Sequence, residues 1–324
     1  MIGYVLRRLV AAATAVVAIS FACFVAFGVS LDPTYPLILN GRHSPERVAL
    51  QERYHLTAPI LERYWIWVKG LFVHGFGTTV MPAGFASDTP GPGEPIGPAV
   101  WSAASVTAQL VAVSLVVVVL LSVLIGTISA RLPGSPLDAL LRGLAYVSWS
   151  VPTFVIGVAF LRWFDPTGRY SLGAPGGGVV RWLEHMALPV AALSLGLVGV
   201  YSRYIRSEML VSLRQPYAVV ARSKGLPERS VVLRHALRNS LVPFVSVVSL
   251  EFGAIVGASL ATDYVFRMGG LATLFLRALG EADPFELTAL VVVLAAVVSA
   301  FMALADLVVG WLDPRVRIGV GGGA

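Results

Sequence analysis

Long apolar runs separated by short charged stretches dominate the chain. Charge-poor runs fall at about residues 9 to 31, 101 to 130, 142 to 162, 186 to 206, 239 to 262 and 287 to 311. Each holds at least roughly 17 to 20 largely apolar residues, enough for a helix to cross ~30 Å of hydrocarbon. Backbone N–H and C=O groups find no water in lipid, so spanning segments of this kind must be helical. The pattern therefore predicts an all-α polytopic membrane protein with six transmembrane helices. The run from Leu9 to Leu31 carries no charge and exceeds the apolar core of a secretory leader, so a retained first span is expected after Arg7 and Arg8.

Composition agrees: of 324 residues, 56% are hydrophobic and only 13% charged, too apolar for a soluble domain. Eight of the 24 Lys and Arg residues lie between Arg203 and Arg238, which places that loop in the cytoplasm by the positive-inside tendency. Arg7 and Arg8 then put the N-terminus inside, and six spans return Arg315 and Arg317 to the same side. The expected organisation is a first helix over 1–31, an external helical insertion over 32–100, a five-helix core over 101–312 with a basic loop at 207–238, and a cytoplasmic tail over 313–324. The net charge of +6 describes loops at a membrane surface rather than a nucleic-acid site, because only Tyr204 and Tyr217 are aromatic among the clustered basic residues. Cys23, the lone cysteine, can form no internal disulfide and reads as packing.

Within the insertion, Ser44-Pro45-Glu46 reads as an N-cap, first-turn proline and dipole-favoured acid, starting a helix that runs to about Tyr54. Thr57-Ala58-Pro59 opens a second, in which Tyr64, Trp65 and Trp67 suit the headgroup zone. Pro90-Gly91-Pro92-Gly93 is loop. This region serves either as a cap or as a docking surface for an external partner.

The basic loop is the most informative stretch. Ala218 and Ala221, at i and i+3, give a short helix one shallow face that can press closely on a partner surface. Gly225 can adopt the left-handed conformation that ends a helix, and Pro227 discourages continuation. The expected product is a rigid peg lying across the membrane plane. The order Tyr217-Ala218, Ala221-Arg222, Lys224-Gly225, Pro227, His235-Ala236-Leu237-Arg238-Asn239 and Pro243 resembles the coupling-loop signature of ATP-binding-cassette (ABC) importer permeases, and more narrowly the dipeptide/oligopeptide permease family. LDP at 31–33, HLTAP, RYWIW, Thr262-Asp263-Tyr264 and the C-terminal Asp313-Pro314-Arg315 are similar to family stretches, whereas Met268-Gly269 departs from the usual Trp-Pro.

The resemblance implies a type I ABC importer-like fold and an ATPase-coupling role for Tyr217, Ala218, Ala221, Arg222, Lys224, Gly225, His235, Arg238 and Asn239. It also implies a bacterial inner-membrane location, a second homologous permease, two ATPase subunits or domains that use ATP and Mg, and an external solute-binding protein. Peptides or related solutes are the implied cargo.

Polar residues inside apolar runs are costly and call for a purpose. Glu251 reads either as lining a water-filled path or as a structural partner. Pro152 removes one backbone hydrogen bond and is expected to kink the third span, as prolines in membrane helices commonly do, and Ser150 and Pro152 are assigned with Glu251 to the translocation path. Gly253 and Gly257 form a GxxxG pair suited to close helix contact, and Gly126 and Ala130 are small residues four apart that allow the same. Asp306 is expected to pair with Arg315 or a loop arginine. No catalytic role, cofactor site or metal site is expected in this chain: Lys69 and Lys224, the only lysines, each precede glycine rather than the Ser or Thr of a P-loop. A secondary transporter or channel is the alternative. An intramembrane enzyme would need Glu251, Asp306 and His185 to converge, against their differing depths.

Overall fold

The computed structural model describes residues 2–34, 45–73, 75–80, 95–164 and 178–312. Thirteen α-helices follow one another among them: α1 (Ile2–Ser30), α2 (Pro45–Arg53), α3 (Ile60–Val73), α4 (Ile96–Arg131), α5 (Pro136–Ser150), α6 (Thr153–Phe164), α7 (Val179–Leu213), α8 (Pro216–Ser223), α9 (Glu228–Ser230), α10 (Leu237–Leu250), α11 (Phe252–Phe266), α12 (Leu271–Gly280) and α13 (Pro284–Leu312). A π-helical turn, Val231–Ala236, joins α9 to α10. Five segments among the described residues are long and apolar enough to cross a membrane, and the bent pair α5–α6 makes a sixth if it is one span.

Two predicted spans are interrupted. The third bends by 96° between α5 and α6. Val151, forced away from helical dihedrals by the following proline, is extended at φ −95° and ψ 122°. Pro152 has no N–H to continue α5, but its carbonyl accepts from Val155 and Ile156 and so starts α6. The stretch predicted as one helix over 239–262 is two, α10 and α11, meeting at Glu251.

The described residues cluster into two compact units. The first comprises 107–268 with the chain from 300 onward. Its close contacts rest on small residues. A Cβ on Gly126 of α4 would come within 2.7 Å of the Ser202 carbonyl of α7, and one on Gly199 within 2.5 Å of the Ala145 carbonyl of α5. Glycine at these points lets the helices approach to backbone distance. Trp182 of α7 donates its indole N–H to Gln109 Oε1 of α4 at 2.7 Å.

The second unit comprises 2–106 and 269–299. The helices expected from about Ser44 and Thr57 are α2 and α3, but their aromatics are not all surface anchors. Trp67 is buried and Tyr64 half-buried, both packed on buried Phe24 of α1 with ring centroids 5.7 and 5.5 Å away, while Trp65 stays exposed. Packing on Phe21 and Phe24 of α1 claims the face that carries residues 64 and 67, and Phe24 in turn meets Phe285 of α13. Asp283 sets the start of α13, accepting from the N–H groups of Phe285 and Glu286 at 2.9 and 3.2 Å and from Val80 at 2.8 Å. Burial raises its carboxyl pKa, and the three backbone donors oppose that rise.

Candidate coupling site

The segment linking α7 to α10 lies wholly in the first unit. After Arg214 caps α7, Gln215 turns extended and Pro216 occupies the first position of α8, where its missing N–H costs nothing. At the far end Gly225 takes φ +76°. The N–H of Gly225 bonds to the Arg222 carbonyl at 2.9 Å and that of Leu226 to Ala221 at 3.2 Å, the paired geometry of a glycine-terminated helix. Pro227 caps the short α9 that follows. Gly225 and Pro227 thus stop the helix as their residue types dictate.

The alanine face points the other way from expectation. Ala218 and Ala221 are buried within this chain, in a cluster with Val231 of the π-helical turn and with Leu213 at the end of α7. Small side chains serve here to bring α8 onto its own base. Exposed are Val219 at 53%, Val220 at 51% and Leu226 at 40%, together with Tyr217, Ser223 and Lys224. Helical spacing explains the split: residues 218 and 221 share one face, and 219, 220 and 223 lie on the opposite side.

Hydrogen bonds fasten the segment at both ends. The Ser212 hydroxyl of α7 donates to the Ala236 carbonyl at 3.0 Å and pairs with the Tyr217 hydroxyl at 2.5 Å. With Ser212 donating to Ala236, Tyr217 is the donor in that second bond. Arg222 spans the turn, its Nε and Nη2 donating to Glu228 Oε2 and Oε1 at 3.0 and 2.9 Å while Nη1 reaches the Leu213 carbonyl at 3.1 Å. The hydrogen bond to Glu228 raises the guanidinium's pKa. Both ion-pair side chains are largely exposed, so the pair contributes about 0.2–1 kcal/mol and acts mainly by fixing geometry. His235 is half-buried in the π-helical turn, whereas Arg238 and Asn239 are exposed at the start of α10. A π-turn of this kind is uncommon and frequently marks functional positions.

A buried ion pair supports α7 from behind. Asp138 of α5 is fully buried and accepts two parallel bonds from Arg206 of α7, at 2.7 and 2.8 Å, plus the Ser129 hydroxyl of α4 and the Gly134 N–H. Arg203, one turn earlier, stacks its guanidinium over the rings of Tyr146 and Trp149, 4.3 and 5.4 Å from their centroids. Sequence reading passed over Asp138, which looks like one more acid beside a turn. The available signal was Ser135-Pro136 three and two residues before it, a helix start whose cap accepts from the Asp138 N–H at 3.1 Å.

Other predicted residues are scattered around this segment. Ser150 is exposed and donates to the Tyr146 carbonyl at 2.8 Å, and Pro152 is exposed at the α5–α6 bend. Glu251 is exposed at the α10–α11 break and accepts from the Tyr201 hydroxyl at 3.1 Å. Gly253 and Gly257 are both exposed, and nothing among the described residues lies within 4 Å of where a Gly257 Cβ would sit. The GxxxG spacing reports small residues, not the presence of a neighbour. The Asp306 side chain and its expected partner Arg315 lie outside the described residues. His185 bonds the Arg181 carbonyl through Nδ1 at 2.8 Å, and no group of His, Cys, Asp or Glu suited to a metal ion occurs among the described residues.

Residues 122–318 match the family described as binding-protein-dependent transport system inner membrane component, and the chain belongs to that family. It is a multi-pass membrane permease of an ABC importer. Among curated relatives, the dipeptide transport system permease protein DppB of Lactococcus lactis subsp. cremoris (strain MG1363) is 29% identical over 98% of this chain and all of its own length. The oligopeptide transport system permease protein AppB of Bacillus subtilis (strain 168) is 26% identical, and OppB of Escherichia coli (strain K12) 28%, each over 98% of this chain and its own full length.

Proposed function

We propose that the chain forms half of a translocation pathway for di- or oligopeptides, driven through α8 by separate ATPase subunits. The observation that carries this reading is the build of α8: capped by proline and glycine, tied to α7 and the π-helical turn, and left with an apolar outer face of Val219, Val220 and Leu226. A rigid element with exposed valines outside the spans is suited to a protein partner. ATP and Mg belong to the ATPase subunits, and this chain contributes no catalysis. A second homologous permease completes the pathway, and an external solute-binding protein delivers the peptide. Relatives named as dipeptide and oligopeptide permeases, matched over their whole length, support the cargo class.

In this reading the basic loop and both termini face the cytoplasm, and the two states of the bundle differ in their contacts with the ATPase pair, as any ligand-driven switch requires. Coupling involves Tyr217, Arg222, Lys224, Gly225, His235, Arg238 and Asn239, with Ala218 and Ala221 acting from beneath by seating the helix. The Ser150–Pro152 bend and Glu251 sit where helices break and line the path. The test is co-purification of the chain with its nucleotide-binding subunits: Val219→Asp should lose the ATPase subunits and peptide uptake while the chain still inserts. Retained uptake in that variant would count against the reading.

A further inference from the structure

In the second unit, α3 carries two buried N–H donors without an acceptor among the described residues: Nε of Arg63 and Nε1 of Trp67. They stand four residues apart, on one face of the helix. Arg63 is 9% exposed and Trp67 4%. Unsatisfied buried donors of this kind are rare in folded proteins and call for an explanation.

The guanidinium is short of partners as well. Its contact with the Gly28 carbonyl is 3.4 Å, beyond the usual range for an N–H···O bond. The nearby acid, Asp32, is committed to Arg47 at 3.0 Å and to Thr34 at 2.6 and 2.9 Å. Burial pulls the Arg63 pKa down, and the charge of Asp32 only partly offsets it. A cation held this way gains from an added anion.

Arg63 and Trp67 both line a cleft of about 340 Å³. Among the described residues, Arg53, His55 and Lys69 are its other ionisable lining groups apart from Tyr54, and none of the lining is Asp or Glu. The Tyr54 hydroxyl is already spent, donating to the Thr79 carbonyl at 2.6 Å. Trp67, Phe76, Phe285 and Ile66 make the remaining walls largely apolar. Basic groups, spare donors and aromatic walls together select one ligand chemistry.

We propose that this cleft binds an organic oxyanion joined to an apolar group, a carboxylate or phosphate whose oxygens accept from Arg63 and Trp67. Guanidinium and oxyanion match as a charge-assisted, two-point pair, and the aromatic walls take the apolar part. Two sources share this chemistry, the headgroup of an anionic lipid and the terminal carboxylate of a short apolar peptide.

The full chain in nanodiscs distinguishes them. Equilibrium dialysis with labelled leucyl-phenylalanine reads the peptide arm. Native mass spectrometry, counting phosphatidylglycerol retained against a phosphatidylcholine control, reads the lipid arm. Saturable binding of one probe is expected, weakened about 10- to 100-fold by Arg63→Gln and about 2- to 5-fold by Lys69→Gln at the rim. Should Arg63→Gln fail to fold, Trp67→Phe keeps an aromatic side chain while deleting one donor, and about 10-fold weaker binding is expected. Absence of saturable binding by either probe, or wild-type binding in folded Arg63→Gln or Trp67→Phe chains, would overturn the proposal.

Discussion

Arg206 holds Asp138 by two parallel hydrogen bonds, Nε to Oδ1 at 2.7 Å and Nη2 to Oδ2 at 2.8 Å, joining α7 to the start of α5. The carboxylate is fully buried and the arginine mostly so. Removing one member leaves the other charged and unmatched, at a cost of about 3–5 kcal/mol. Asp138→Ala should therefore sharply lower the thermal midpoint of the purified chain. A midpoint equal to wild type would show the pair to be dispensable.

The inward alanines give a second expectation. Ala221→Leu forces extra volume between α8 and Val231, costing about 1–3 kcal/mol of local packing. It should uncouple ATP hydrolysis from uptake while membrane insertion stays normal. Val220→Asp, on the outer face, should release the ATPase subunits without lowering the chain's own midpoint. Assaying midpoint and subunit retention side by side separates the two faces.

Glycines predict a third contrast. Gly126→Ala and Gly199→Ala place a methyl against backbone carbonyls on the neighbouring helix, so both should reduce folded yield. Gly257→Ala meets open space within this chain and should leave yield unchanged. If Gly257→Ala nevertheless lowers transport in the assembled complex, the open face at Gly257 belongs to another subunit.

At the α10–α11 break, Tyr201→Phe deletes the donor to Glu251 and should cost about 0.5–1.5 kcal/mol. Glu251→Gln keeps an acceptor there, so its midpoint should fall less. Uptake of peptides with a cationic end, compared with neutral ones, tests the path-lining role proposed for Glu251: a selective fall in Glu251→Gln is expected, and equal uptake of both would remove the residue from the path.

Much of this was legible in the residues. Apolar run length gave the helical spans apart from the breaks at Val151 and Glu251, Gly225 and Pro227 gave the end of α8, and the first-turn Pro45 gave the start of α2. Direction was not legible. An Ala-x-x-Ala face packs closely against whatever it meets, and its sequence does not say whether that is a partner or the chain's own Val231. Gly253 and Gly257 raise the same ambiguity with the opposite outcome, a small-residue pair left open. Asp138 and Arg206 stand 68 positions apart, and only the fold brings them into contact.

In the proposed coupling, α8 meets the ATPase through its valine face while its alanines stay within the permease. Cysteine cross-linking in the assembled transporter tests it most directly, with Cys23 replaced by Ser and single cysteines placed at Val219 or Ala221. Val219→Cys should cross-link to the ATPase subunit and Ala221→Cys should not. Cross-linking from Ala221→Cys, with none from Val219→Cys, would contradict the account.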